Sequence, residues 1–126
     1  MQDKNIEMLK VIAQTIYDKK GFNILAIDVR EISTLTEYLL IAEGTVGRHV
    51  QYLCEAIKEK IEESKFNFYH VEGEKTGDWA VVDCGEIMVH LFIPELREKY
   101  GLEELWHEGE LVDLKLKVKE SFDEKR

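Results

Sequence analysis

The sequence predicts one α/β (α+β) domain, a mixed five-stranded sheet packed with two long helices. Three observations carry that expectation. Residues 4–20 and 46–64 repeat apolar side chains at helical spacing. Residues 23–29, 38–43, 67–71, 79–84 and 86–93 are short runs rich in β-compatible or alternating apolar residues. The order α-β-β-α-β-β-β-α calls for helices layered on a sheet. A chain of 126 residues with 44% hydrophobic content suits a single core, so the domain is read as 1–118, with 119–126 as a frayed tail.

In the first helix, Ile6, Leu9, Ile12, Ala13, Ile16 and Tyr17 share a face, and Gly21 marks the stop. Asn23 to Val29 and Tyr38 to Glu43 read as central strands, and Thr45 is the expected N-cap of the second helix. Val46, Val50, Leu53, Ile57 and Ile61 form that helix's apolar stripe, opposite Arg48, Gln51, Glu55 and Lys58. Its opening, G-T-V-G-R-H, lacks the lysine and the glycine spacing of phosphate loops and reads as a turn into a helix. The strands at 79–84 and 86–93 meet at Cys84-Gly85-Glu86, an antiparallel hairpin. Pro94 then opens a short helix over Glu95 to Tyr100, with another helical turn at Leu102 to Trp106. The tail alternates through Leu111, Val112, Leu114, Leu116 and Val118.

Charge is concentrated. The segment from Glu72 to Asp113 holds twelve acids and three bases, which equals the net charge of −9 of the whole chain; the remainder is balanced. Such a face either attracts a basic partner or merely aids solubility, and it repels a phosphate backbone, so direct nucleic-acid binding by the acidic face is not expected. No apolar run has the length of a membrane span, and the N-terminus lacks signal-peptide features, so a cytoplasmic protein is expected. Cys54 and Cys84 form no metal or redox motif and read as small core residues.

The chemistry-bearing residues gather between Glu72 and Trp106. In the hairpin, Ala80, Val82 and Cys84 are predicted to face the helices, which leaves Trp79 and Asp83 on the other side of the sheet. Trp79 there is either a binding anchor or a core residue under the C-terminal helix. His49, His70, His90 and His107 have no metal-ligand spacing, and no serine or cysteine sits in a nucleophile elbow. Asp28 and Asp83 are candidate paired carboxylates for a metal-dependent, nucleotidyltransferase-type enzyme, and that reading requires them to meet across one cleft. A self-associating module, a homodimer through the aromatic face, is a third reading.

Six motifs occur in order: D-V-R-E-I-S at 28–33, Y-L-L-I-A-E-G-T at 38–45, R-H-V at 48–50, V-E-G at 71–73, W-A-V-V-D-C-G-E-I-M-V-H-L-F at 79–92, and R-E-K-Y-G-L-E-E-L-W at 97–106. Over roughly residues 4–116 the chain resembles the ribosomal silencing factor, or Iojap-like, family. The resemblance implies a nucleotidyltransferase-like core without the catalytic carboxylates and a non-enzymatic translational repressor with no cofactor or metal. It implies binding to the large ribosomal subunit through ribosomal protein L-fourteen, which would block joining of the small subunit. Carried onto this sequence, the partner surface comprises Trp79, Asp83, Tyr100, Leu102 and Trp106, with Glu72, Gly73 and His90 nearby. Cys84, Glu86 and Gly101 depart from the family pattern, all within the hairpin or the turn after Tyr100.

Overall fold

The computed structural model describes residues 4–64 and 69–118. Helix α1 (Lys4–Asp18) leads into strands β1 (Phe22–Asp28) and β2 (Tyr38–Glu43), followed by α2 (Gly47–Glu63). Strands β3 (His70–Glu72), β4 (Trp79–Asp83) and β5 (Ile87–Phe92) come next, then the short helices α3 (Pro94–Tyr100) and α4 (Leu102–Leu105), and last β6 (Glu110–Leu111). The sheet runs β3-β4-β5-β2-β1-β6, so it has six strands and not the five expected. The addition is β6, whose two residues pair antiparallel with Ile27 and Asp28. Two residues are too short to stand out within the alternation of the tail. Of the third expected strand, 67 and 68 lie outside the described residues, as does the expected frayed end at 119–126.

Only β2 and β5 are parallel; their connection runs through α2 and the β3–β4 hairpin. Both are central, and all six residues of β2 are buried because layers cover both of its faces. On one face lie α1 and α2. Leu9, Ile12 and Ile16 from the first helix and Leu53, Ile57 and Ile61 from the second close on Ala26, Leu40, Ala80, Val82, Val89 and Leu91. Beyond β6, Leu114 is buried in this same core, with Val112 and Leu116 packed against it. The opposite face carries a smaller buried cluster of Ile27, Val29, Leu39, Ile41 and Phe92, against which Leu96 of α3, Leu102 of α4 and Trp106 pack. No helix of the described residues is long and apolar enough to cross a membrane.

Thr45 does not cap α2. Val46 holds the N-cap position, makes no side-chain cap bond and is exposed, outside the predicted stripe. His49 makes a different connection: its Nδ1 accepts the Thr45 backbone N–H at 2.9 Å, and its Nε2–H donates to the Lys19 carbonyl at 2.9 Å. A backbone amide can only donate and a carbonyl can only accept, so the two bonds fix the ring's tautomer and tie the end of α1 to the start of α2. Gly47, in the segment that superficially resembles a phosphate loop, lies against the β3–β4 connection, where an added Cβ would come within 2.9 Å of the Thr76 carbonyl oxygen. The glycine serves a backbone-to-backbone contact.

Candidate partner-binding face

Strand register decides which side chains meet. Trp79 is opposite Phe92, Val81 opposite His90 and Asp83 opposite Met88; one strand outward, Glu72 is opposite Val81 and His70 opposite Asp83. Directly paired residues share a face, so Trp79, His90, Asp83 and Glu72 all lie on the side away from α1 and α2, the side the alternation predicts for Trp79 and Asp83. Ala80, Val82 and Cys84 point into the helix-side core.

The centre of this face is a cluster of rings. The Trp79 indole lies 5.1 Å from Phe92 and 4.7 Å from Tyr100, centroid to centroid, and its Nε1–H donates to His90 Nδ1 at 3.1 Å. Trp79 is half-buried and Tyr100 is 46% exposed, so the cluster has both a packed floor and a surface rim. Trp79 is thus covered on one side by Tyr100 of the C-terminal helical segment while part of its surface stays exposed. Asp83 accepts the Gly85 amide at 2.8 Å, which closes the β4–β5 turn. Glu72, exposed on the edge strand, is 2.8 Å from the His70 ring. Gly73 follows it at φ +80°.

Leu102 and Trp106 lie on the same side of the sheet and share the Phe92-containing cluster with Trp79. They pack on the Ile27–Leu39–Ile41 cluster and roof the β1–β2 part of the sheet. The structure therefore groups Trp79, His90 and Tyr100 in contact, places Asp83 and Glu72 beside them, and gives Leu102 and Trp106 a covering position.

Sequence inspection assigned no role to Arg97, which holds this roof in place. Its guanidinium bonds Glu43 at 3.2 Å, Glu103 at 3.1 Å and the Asn23 carbonyl, joining α3 to the ends of β1 and β2 and to α4. The signal was available. Arg97 is one of three bases in the acidic segment, and Glu43 is a charge at the end of an otherwise apolar strand.

Burial pushes the His90 imidazole down to about 4. Val81 and Ile41 flank it on the neighbouring strands, so no carboxylate directly beside it offsets the loss of hydration. The ring is neutral at pH 7, and with Nδ1 accepting from Trp79 its proton sits on Nε2. Because the folded value is depressed, acid favours the unfolded chain. The full stability is present above about pH 6.5, falls as pH drops towards 4, and levels off below. The stability difference between wild type and His90→Phe should shrink by about 3 kcal/mol between pH 7.5 and 4 in urea titrations. Parallel curves for the two proteins would contradict the assignment.

The nucleotidyltransferase-type reading finds no site here. Asp28 pairs in register with Tyr38, a helix-side residue, whereas Asp83 pairs with Met88 on the other face. Strands β1 and β4 are also three steps apart in the sheet, about 14 Å at the usual strand spacing. The Arg30 guanidinium, 2.7 Å away, holds the Asp28 carboxyl below its ordinary range. Burial pushes both cysteine thiols up to about 12, which makes them poor nucleophiles.

Comparison with known proteins gives a consistent result. The family model described as "Ribosomal silencing factor during starvation" matches residues 2–126. A Bacillus subtilis protein named ribosomal silencing factor RsfS is 36% identical over 114 residues, covering 90% of this chain and 95% of the relative. A mouse protein named mitochondrial assembly of ribosomal large subunit protein 1 is 29% identical over 101 residues, which is 78% of this chain and 44% of that longer one. A crystal structure of a Chromobacterium violaceum protein superposes with a TM-score of 0.77 at 26% identity, covering 97% of this chain and 99% of that one. With nearly its whole length matched by the family model and a relative of 36% identity covering 90% of it, this chain belongs to the ribosomal silencing factor family.

Proposed function

We propose that this protein is a non-enzymatic repressor of translation that docks on the large ribosomal subunit, at ribosomal protein L-fourteen, and so keeps the small subunit from joining. Family membership supports the ribosomal role. The observation that carries the choice of surface is the Trp79–Tyr100–His90 ring cluster at one end of the sheet, bordered by Asp83 and Glu72. Aromatic anchors on a rigid sheet supply desolvated contact area at little cost in side-chain freedom, and the adjoining carboxylates speed encounter with a basic protein. Leu102 and Trp106, on the same side of the sheet, extend the face and add contact at their exposed edges.

Co-sedimentation with purified large subunits tests the proposal. Tyr100→Ala removes a half-exposed ring and should weaken binding about thirtyfold, the loss of a hot-spot side chain. Trp79→Ala should lose at least as much, while Val11→Ala on the outer surface of α1 should bind as wild type does. Equal retention of all three variants would remove the ring cluster as the interface. Failure of the wild type to co-sediment would remove the ribosomal role itself.

A further inference from the structure

The helix layer carries a patch of the opposite charge. His49, by bonding both the Thr45 amide and the Lys19 carbonyl, holds the end of α1 against the first turns of α2. Lys19 reaches from there across to α2, with its ammonium 5.6 Å from the centre of the Tyr52 ring. Arg48 stands one turn before Tyr52, on the same side of that helix. Lys20 completes the group at φ +76°, a left-handed position that favours glycine, so a lysine stands there against the preference of the backbone. Lys19, Lys20 and Arg48 are all exposed, and among the described residues none of them is in an ion pair. The nearby carboxylates are engaged elsewhere. Asp18 accepts from the Gln14 amide, which also holds the tail at Lys117, and Glu55 is bonded by Lys58.

We propose that this patch binds an unpaired stretch of RNA, with Lys19, Lys20 and Arg48 on its phosphates and a base stacked on Tyr52. The tyrosine is what distinguishes RNA from other polyanions. Its ring is 51% exposed and has a cation on either side, and such alternation of positive charge and π surface holds single strands with little regard to sequence. An acidic protein segment would satisfy the charges and leave the ring in water. The positive end of the α2 dipole, where Val46 provides no side-chain cap, strengthens the field at the same place. The acidic face does not cancel it. Glu72 and Asp83 lie on the far side of the sheet, beyond a helix about 10 Å thick, whereas exposed charges are screened within about 8 Å at physiological salt. The two surfaces therefore act independently, and the RNA contact does not rest on the docking proposed above.

The test uses the full chain and a fluorescein-labelled oligouridine at low salt, read by fluorescence anisotropy with no ribosomes present. Saturable binding is expected, with a slope of about −2 for log affinity against log salt, as three phosphate contacts on a single strand require. Lys19→Glu combined with Arg48→Glu should weaken binding at least tenfold, roughly the loss of two phosphate contacts with their charges reversed. Tyr52→Ala should weaken it about tenfold, while Tyr52→Phe keeps the stacking surface and should bind as wild type does. Lys60→Glu with Lys115→Glu changes the net charge equally away from the patch and should leave affinity within about twofold. Unlabelled polyglutamate should displace the RNA poorly, because it offers nothing to the ring. Absence of saturable binding, equal losses in the two charge-reversed pairs, undiminished binding by Tyr52→Ala, or equal displacement by polyglutamate would each overturn the proposal.

Discussion

Replacing Arg97 with methionine should cost about 3–5 kcal/mol of folding stability, the penalty for stranding a buried charge. Side-chain exposure is only 11% for Arg97 and 9% for Glu43, so water cannot take over when the guanidinium is removed. Glu103, the third member, is more exposed and should contribute less. The cluster already holds two carboxylates against one guanidinium. Its remaining compensation comes from the Asn23 side-chain amide, which donates to Glu43 at 3.2 Å. If the loss comes from uncompensated carboxylates, neutralising them should recover it. Arg97→Met combined with Glu43→Gln and Glu103→Gln should regain most of the stability in urea denaturation. A single Arg97→Met variant within about 1 kcal/mol of wild type would mean the cluster is screened by solvent and does not fasten α3. The loss should also be felt in function, because α3 carries Tyr100 to the indole of Trp79.

The contrast between Arg97 and the hairpin shows what could be read from the chain. Alternation along 79–84 assigned Trp79 and Asp83 to one face and Ala80, Val82 and Cys84 to the other, because a strand has only two. Helical spacing located α1 and α2 for the same reason. Both signals are local and periodic. The features missed are neither. Strand β6 is two residues long and exists because the tail meets the β1 edge, a consequence of tertiary placement. The ion cluster joins positions 23, 43, 97 and 103, which only the folded chain brings together. The Trp79–His90 bond was half legible. Register puts His90 opposite Val81, and the indole reaches it diagonally from the next residue position on its face. Motif resemblance named both residues without saying that one accepts a hydrogen bond from the other. Leu102 and Trp106 show the reverse case. The family pattern singles them out together with Trp79, yet their main contacts are with the sheet beneath them.

Gly73→Ala should destabilise the fold by about 4 kcal/mol, combining backbone strain with a steric clash. Gly73 sits at φ +80°, where an L side chain is strained, and a Cβ there would fall 2.1 Å from the Trp79 carbonyl oxygen. No rotamer relieves that contact, because both partners are backbone or fixed to it. Strand β4 would have to shift at Trp79, the residue whose ring organises the face. Its neighbour Glu72 provides the comparison: its side chain is exposed and, among the described residues, is bonded to His70, itself exposed. Glu72→Gln should therefore leave thermal stability within about 0.5 kcal/mol of wild type, and any change should appear in affinity for the large subunit and its salt dependence. Two adjacent residues in one motif thus separate by experiment. If Gly73→Ala melts with the wild type, the close approach at Trp79 is wrong. If it melts early but the folded fraction binds normally, Gly73 is retained for the turn, and the docking face begins at Glu72.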